Sequence, residues 1–403
     1  MKEKFERKYK EEKPVVAICY DFDKTLSPDD MQAQGYIQSV GFDIKDFWKE
    51  SNELAENNDM DQNLAYMYKM YLEAEGNMVF NRNTLAEYGA KVKLFKVVEE
   101  WFERIRDYGK QKNVIVEHYI ISSGLKEMIE GTKPAQDGAF TKIYASSFYY
   151  SERGVAKWPA QVVNYTNKTQ FLFRIEKGVL DINDPGVNDY FQPDKIRVPF
   201  RNMVYIGDSD TDIPCMKLVN SYGGYSIGVY NPDSKDKTKV YKMIKDNRIK
   251  LFAPADYSDG SEIDRLVKMI IDRTSANEKI ENKYAACVNE VLEAEKNDDR
   301  DENEQSQDEL ISCLESSKNF AYTHHIIRGT KKYSKWSDSQ KDRLFQALID
   351  NDQIKWILGD NDVYEFYSKL IKEADETRKI VKEVREMLTE IEKNITDKHN
   401  NMQ

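Results

Sequence analysis

Apolar and polar positions change rhythm several times along the chain. Val15–Tyr20 is an unbroken apolar run of strand formers that ends abruptly in Asp21-Phe22-Asp23-Lys24-Thr25. Such a run reads as a strand buried on both faces. From Pro28 to about Lys112 the spacing becomes helical. After the pair Phe47-Trp48, Leu64, Met67, Met70 and Tyr71 recur at three-to-four intervals, and Leu94, Val97, Val98, Trp101, Phe102 and Ile105 continue the pattern. These stripes predict two long amphipathic helices with buried faces. Short apolar runs then return at Tyr119–Ile121, Ile143–Tyr150, Met203–Ile206, Tyr222–Tyr230 and Leu251–Ala253. Helical stretches at Leu125–Ile129, Thr169–Ile175 and Ile263–Ile271 lie between and after them. Strands alternating with helices predict an α/β unit whose parallel sheet is covered on both faces.

Past Thr274 the pattern changes again. Asn289–Leu310 is dominated by acids, and a like-charge block of that kind predicts a solvated or disordered linker. Ala321–Ser334 then gathers His324, His325, Arg328, Lys331, Lys332 and Tyr333 into a small basic and aromatic patch. Adjacent histidines face different ways on a helix, so the pair makes a poor metal site. Val363, Tyr367, Leu370, Ala374, Thr377, Val381, Val384, Leu388, Ile391 and Ile395 step alternately by four and three. That repeat predicts either a coiled coil between copies of the chain or one amphipathic helix folded onto its own domain.

The chemistry lies where the apolar runs stop. Side chains two apart on a strand point the same way, so Asp21 and Asp23 should emerge together at a sheet's carboxyl edge. The run Met203–Ile206 ends similarly, in Gly207-Asp208-Ser209-Asp210-Thr211-Asp212, and Tyr119–Ile121 ends in Ser122-Ser123-Gly124. Lys168 opens a helical stretch between these two. Asp212 follows Asp208 by one helical turn, whereas Asp210 is as well suited to capping the next helix.

Strand–Asp-x-Asp-x-Thr, strand–Ser, Lys and strand–Gly-Asp-x-x-x-Asp, in that order, resemble the haloacid dehalogenase (HAD) superfamily over roughly residues 13–273. The resemblance implies a Rossmann-like parallel sheet with a C1-type helical cap inserted at about 30–112. Residues 274–310 would then be an acidic linker, and 311–403 an all-helical C-terminal extension. It implies a phosphatase in which Asp21 is the nucleophile and Asp23 the general acid and base. Ser122, with backbone N–H groups at Ser123 and Gly124, would bind the phosphoryl group, and Lys168 would supply fixed positive charge. Mg²⁺ would be held by Asp21, Asp23 (through its carbonyl) and Asp208, with Asp212 binding a metal-bound water or orienting Lys168. Lys157 and Lys177 compete for the lysine role. Ser123 departs from the family, which commonly has a second small Gly-type residue there.

The expected substrate is a phosphorylated small molecule. Phosphotransfer to another alcohol, a non-catalytic oligomeric scaffold, and action on nucleic-acid ends guided by Lys331 and Lys332 remain open readings. A net charge of −11 over 403 residues argues against non-specific nucleic-acid or membrane binding by the whole-protein field. No apolar run approaches the roughly 20 residues that span a bilayer. Scattered cysteines and a polar N-terminus predict a reduced, cytoplasmic protein.

Overall fold

In the computed structural model, which describes residues 5–192, 195–234, 236–296 and 302–400, the apolar runs of the first half assemble into one seven-stranded sheet. Its strands are β1 (Val15–Tyr20), β2 (Ile115–Leu125), β3 (Lys142–Tyr150), β4 (Ala156–Gln161), β5 (Met203–Gly207), β6 (Tyr225–Tyr230) and β7 (Leu251–Pro254). Their order is β4-β3-β2-β1-β5-β6-β7. All neighbours run parallel except β3 and β4. Strand β1 is central and wholly buried, and Tyr20 lies in register with Ile120 of β2 and Ile206 of β5. The three chains therefore leave the same edge side by side.

Alternation along β1 divides the core into two layers. Val16, Ile18 and Tyr20 face the cluster shared with the inserted helices, while Val15, Ala17 and Cys19 face Phe171, Leu172, Cys215 and Met216. The insertion between β1 and β2 contains α1 (Ile44–Asn57), α2 (Gln62–Ala74), α3 (Arg82–Gly89) and α4 (Val98–Gln111), besides shorter turns of helix. Side chains of Asp43, Asp61 and Asn81 cap the first three by accepting backbone N–H bonds. The apolar stripe expected to begin at Leu94 enters its helix only at Val98, because Val97 adopts a left-handed backbone with φ 64°. Trp101 and Phe102 then pack on Tyr20 and His118. The indole donates to the Tyr20 oxygen (2.8 Å), and the His118 ring lies between the Tyr20 hydroxyl and the Phe102 carbonyl.

Three more helices, α5 (Thr169–Lys177), α6 (Ile213–Ser221) and α7 (Thr238–Lys245), cover the sheet, and α8 (Glu262–Lys296) follows. Strand β4 was absent from the apolar pattern. Lys157-Trp158-Pro159 carries few strand formers, and Pro159 is tolerated because β4 lies at the edge, where a missing N–H costs no internal ladder bond. The opposite edge, β7, ends in Pro254.

The chain divides into two compact units, 1–286 and 287–403. The second contains α9 (Glu302–Glu315), α10 (Phe320–Thr330), α11 (Asp338–Asp350), α12 (Asn361–Lys372) and α13 (Lys379–Asn400). The acidic stretch is helical as far as Lys296 and again from Glu302, and its centre at 297–301 lies outside the described residues. The expected continuous heptad helix is divided. Asp375 accepts bonds from the Thr377 N–H and hydroxyl, a local turn that competes with helix and separates α12 from α13. Val363, Tyr367, Leu370, Val381, Val384 and Leu388 are buried together in the unit's own core. These six heptad positions thus pack within the unit itself. His324 lies between Asp362 (Nδ1, 2.9 Å) and Asp360 (Nε2, 3.1 Å).

Candidate active site

Two loops at the carboxyl edge bring acids from the ends of two adjacent strands into one cluster. Ligand oxygens of Asp21, Asp208 and Asp212 all lie within 4.8 Å of one another. Parallel pairing of β1 with β5 causes this, and the Asp21 N–H extends the ladder by donating to the Ile206 carbonyl (2.9 Å). Gly207 closes β5 where a Cβ would come within 2.5 Å of the Asp212 carboxylate. Any side chain there would push the second acidic loop away from the first.

Lys168 enters this cluster from the residue before α5. Its ammonium is fully buried, 2.7 Å from Asp212 and 3.2 Å from Asp21. Lys157 is exposed on β4, and Lys177 donates instead to the carbonyls of Val187 and Asp189. Asp212 has its remaining capacity occupied as well. One oxygen accepts from the Tyr205 hydroxyl (2.8 Å), and the other from the N–H and hydroxyl of Ser209. Four donors on one carboxylate describe an anchor for Lys168 more than a ready metal ligand. Asp210 is exposed and outside the cluster, and the expected capping role falls to Ser209, reciprocally bonded with Asp212.

The other carboxyl of the first pair has different surroundings. Asp23 accepts from the Met31 N–H (2.8 Å), and the adjacent Lys24 is paired with Asp30 (2.9 Å). Burial, reinforced by the charges of Asp30 and Asp21, holds the Asp23 carboxyl well above the usual range. Burial also pushes Asp21 up to about 7, with Asp212 and Asp208 adding to it and Lys168 opposing. Asp208 is pushed to about 6, mainly by burial, with Lys239 opposing. The result is a lysine-contacted carboxyl beside one that retains its proton more strongly, a pairing suited to dividing acid and nucleophile roles.

A helix opens at Lys126, close to the expected start, and Ser122, Ser123 and Gly124 lie just before it. They form an irregularity within β2, where pairing with β3 skips from Ser122 to Leu125. The buried Ser122 hydroxyl accepts from the Gly124 N–H (3.1 Å). A Cβ on Gly124 would meet Met31 and lie 3.0 Å from Asp23; glycine lets the bulge approach the acid. The inserted helices reach the same bulge, as Tyr66 of α2 donates to the Ser123 carbonyl (2.6 Å). Asn63 reaches the Val163 carbonyl, and Asp61 accepts from Asn164, four residues before Lys168.

Tyr205, Ser209 and Tyr66 were not singled out in the sequence. The Ser209-x-x-Asp212 spacing of a capping box was a legible signal. The reach of Tyr66 depends on tertiary packing, which periodicity does not encode. A hard divalent cation fits this donor set. Asp21 and Asp208 supply carboxylate oxygens in a cluster with more acids than buried cations, and the Asp23 carbonyl belongs to the same loop.

Residues 18–217 match the family of haloacid dehalogenase-like hydrolases. An uncharacterized protein of Borreliella burgdorferi is 26% identical over 289 residues, covering 63% of this chain and 95% of that one. Among solved structures, a HAD family hydrolase of Salmonella enterica serovar Typhi is similar at 14% identity and a TM-score of 0.42, over 64% of this chain and 72% of its own. A probable phosphoserine phosphatase of Vibrio cholerae is similar at 11% identity and a TM-score of 0.43, over 66% and 67%. Among the described residues no helix is long and apolar enough to cross a membrane.

Proposed function

We propose that this hydrolase is a Mg²⁺-dependent phosphomonoesterase acting on a phosphorylated small molecule through an aspartyl-phosphate on Asp21. The observation that carries the reading is the asymmetry of the two carboxyls. Asp21 touches the buried Lys168 ammonium, while Asp23 has no such contact and holds its proton. Mg²⁺ held by the carboxylates of Asp21 and Asp208 and the carbonyl of Asp23 would supply charge neutralisation for the transferring group.

In the first step an Asp21 oxygen attacks phosphorus as the ester P–O bond breaks, and Asp23 gives its proton to the departing oxygen. In the second, Asp23 takes a proton from water, whose oxygen attacks phosphorus. The bond to Asp21 breaks, releasing phosphate and regenerating both carboxyls. Ser122 and the bulge N–H groups hold the phosphoryl oxygens, and Lys168, steadied by Asp212, balances charge on Asp21. The inserted helices, clamped by α2 to the bulge, serve as a C1-type lid that excludes water. Four unpaired cysteines suit a reduced cytoplasmic setting.

The test is phosphate release from phenyl phosphate by the full-length protein. Activity should require Mg²⁺, disappear with chelator and return on adding the metal. Absence of turnover across sugar phosphates, nucleotides and phosphoamino acids at saturating Mg²⁺ would overturn the reading.

A further inference from the structure

A cavity of about 290 Å³ adjoins the acidic cluster, and Lys168 is not part of its wall. Asp208 belongs to both. Its carboxylate is one of the three clustered acids and also part of the cavity wall. Lys24, Tyr230, Asn231, Asp236 and Lys239 line the rest, with Phe95 and Val229 as apolar wall. Lys24 directly follows the proton donor and has a left-handed backbone, φ 57°, so the cavity opens beside the reacting loop itself.

The charges of this wall are arranged conditionally. Lys24 is held by Asp30, and Asp236 is occupied by the Thr238 N–H (2.8 Å). Lys239 is half-exposed and contacts Asp208 at 3.4 Å. A dication bound by Asp21 and Asp208 removes that carboxylate as a partner and repels the ammonium. Lys239 is then a mobile cation beside an open cavity whose wall also includes Lys24.

We infer that this cavity is a second anion subsite, taking a carboxylate or phosphate on the leaving-group side of the substrate, with Lys239 as its principal cation and Lys24 as the second. The inference rests on the phosphatase reading and narrows it. Substrates carrying a second anionic group are selected over neutral phosphomonoesters. Metal binding and substrate selection are linked, because the same lysine serves Asp208 before the metal arrives and the substrate afterwards.

Non-hydrolysable probes separate this inference from turnover. Binding of ω-phosphonoalkanoates of increasing length is measured by calorimetry on the full-length protein at saturating Mg²⁺, against alkylphosphonates of matched length. At one chain length the carboxylate should improve Kd by about tenfold or more, the gain of one good charged contact. In Lys239→Met that advantage should fall to about twofold or less, and Lys24→Met should lose part of it. α,ω-Bisphosphonates distinguish a phosphate-preferring subsite from a carboxylate-preferring one. Mg²⁺ alone should bind Lys239→Met severalfold more tightly than the parent protein, since the competing ammonium is gone. Equal binding of charged and neutral probes at every length, or an advantage that survives Lys239→Met, overturns the subsite. Phosphate release from phenyl phosphate, measured separately, reports on the phosphatase reading alone.

Discussion

The same sheet carries a buried ionic cluster at each end of its strands, and the two are built on opposite principles. At the carboxyl edge three aspartates face one buried lysine. Near the start of β2, Glu117 and Glu11 face Arg197 and Lys8 in equal number. Arg197 grips Glu117 with two bonds of 2.8 and 2.9 Å, and Tyr119 adds a third at 2.6 Å. Burial opposes ionisation of Glu117, but Arg197, Lys8 and Tyr119 overcome it and pull the carboxyl down to about 2. At the other edge, burial and like charges win, and Asp21 goes up to about 7. A balanced cluster fastens the chain. An acid-rich one is held in place by the surrounding fold and has affinity to spare for a cation.

The largest expected separation comes from removing one acid at each end. Asp21→Asn should lower turnover by a factor of about a thousand or more if Asp21 is the nucleophile as proposed. It should leave the melting temperature of the metal-free protein unchanged or raised, because it relieves repulsion. Glu117→Gln should do the reverse, costing about 3 kcal/mol in urea unfolding by leaving a buried guanidinium underpaired, with kcat retained in the protein that remains folded. Equal destabilisation by the two substitutions would erase the distinction.

A smaller effect is expected from pH. His118, beside Glu117, is lowered to about 3 by burial, from 6.5. The unfolded chain therefore takes up that proton first, and stability falls as pH drops from 6.5 toward 3, with Glu117 adding its loss below about 4.5. Asp21 and Asp208 have the opposite sign. Their carboxyls are raised in the folded state, so the metal-free protein loses stability as pH rises from about 4 to 7. The rise in melting temperature on adding Mg²⁺ should therefore be larger at pH 7.5 than at pH 5.5, where protons compete for the same oxygens. A metal-induced shift independent of pH would contradict this. The smallest effect is expected at Tyr66→Phe, which removes one bond between α2 and the bulge and should change KM by only a few-fold, within the ~1 kcal/mol of a single hydrogen bond.

Much of the acidic edge was legible because strand endings are local. An apolar run that stops at Asp21-Phe22-Asp23 or at Gly207-Asp208 announces both the element and the direction its acids face. What the pattern concealed came from tertiary context. Strand β4 hides behind Trp158-Pro159 because an edge position tolerates residues that a central strand would reject. The division of the C-terminal heptads depends on the side chain of Asp375 competing for Thr377, a local bond that hydrophobic spacing does not register. Likewise, Tyr205 reads as one more core residue until its hydroxyl is seen on Asp212.

The two outermost strands of the sheet each contain a proline, Pro159 in β4 and Pro254 in β7. A proline offers no amide hydrogen, and a visiting strand meets a gap in the ladder it would need to extend. Fibril-like growth and strand exchange between copies are therefore discouraged at both margins, and a central β1 made of six buried residues can be kept without becoming a seed for aggregation.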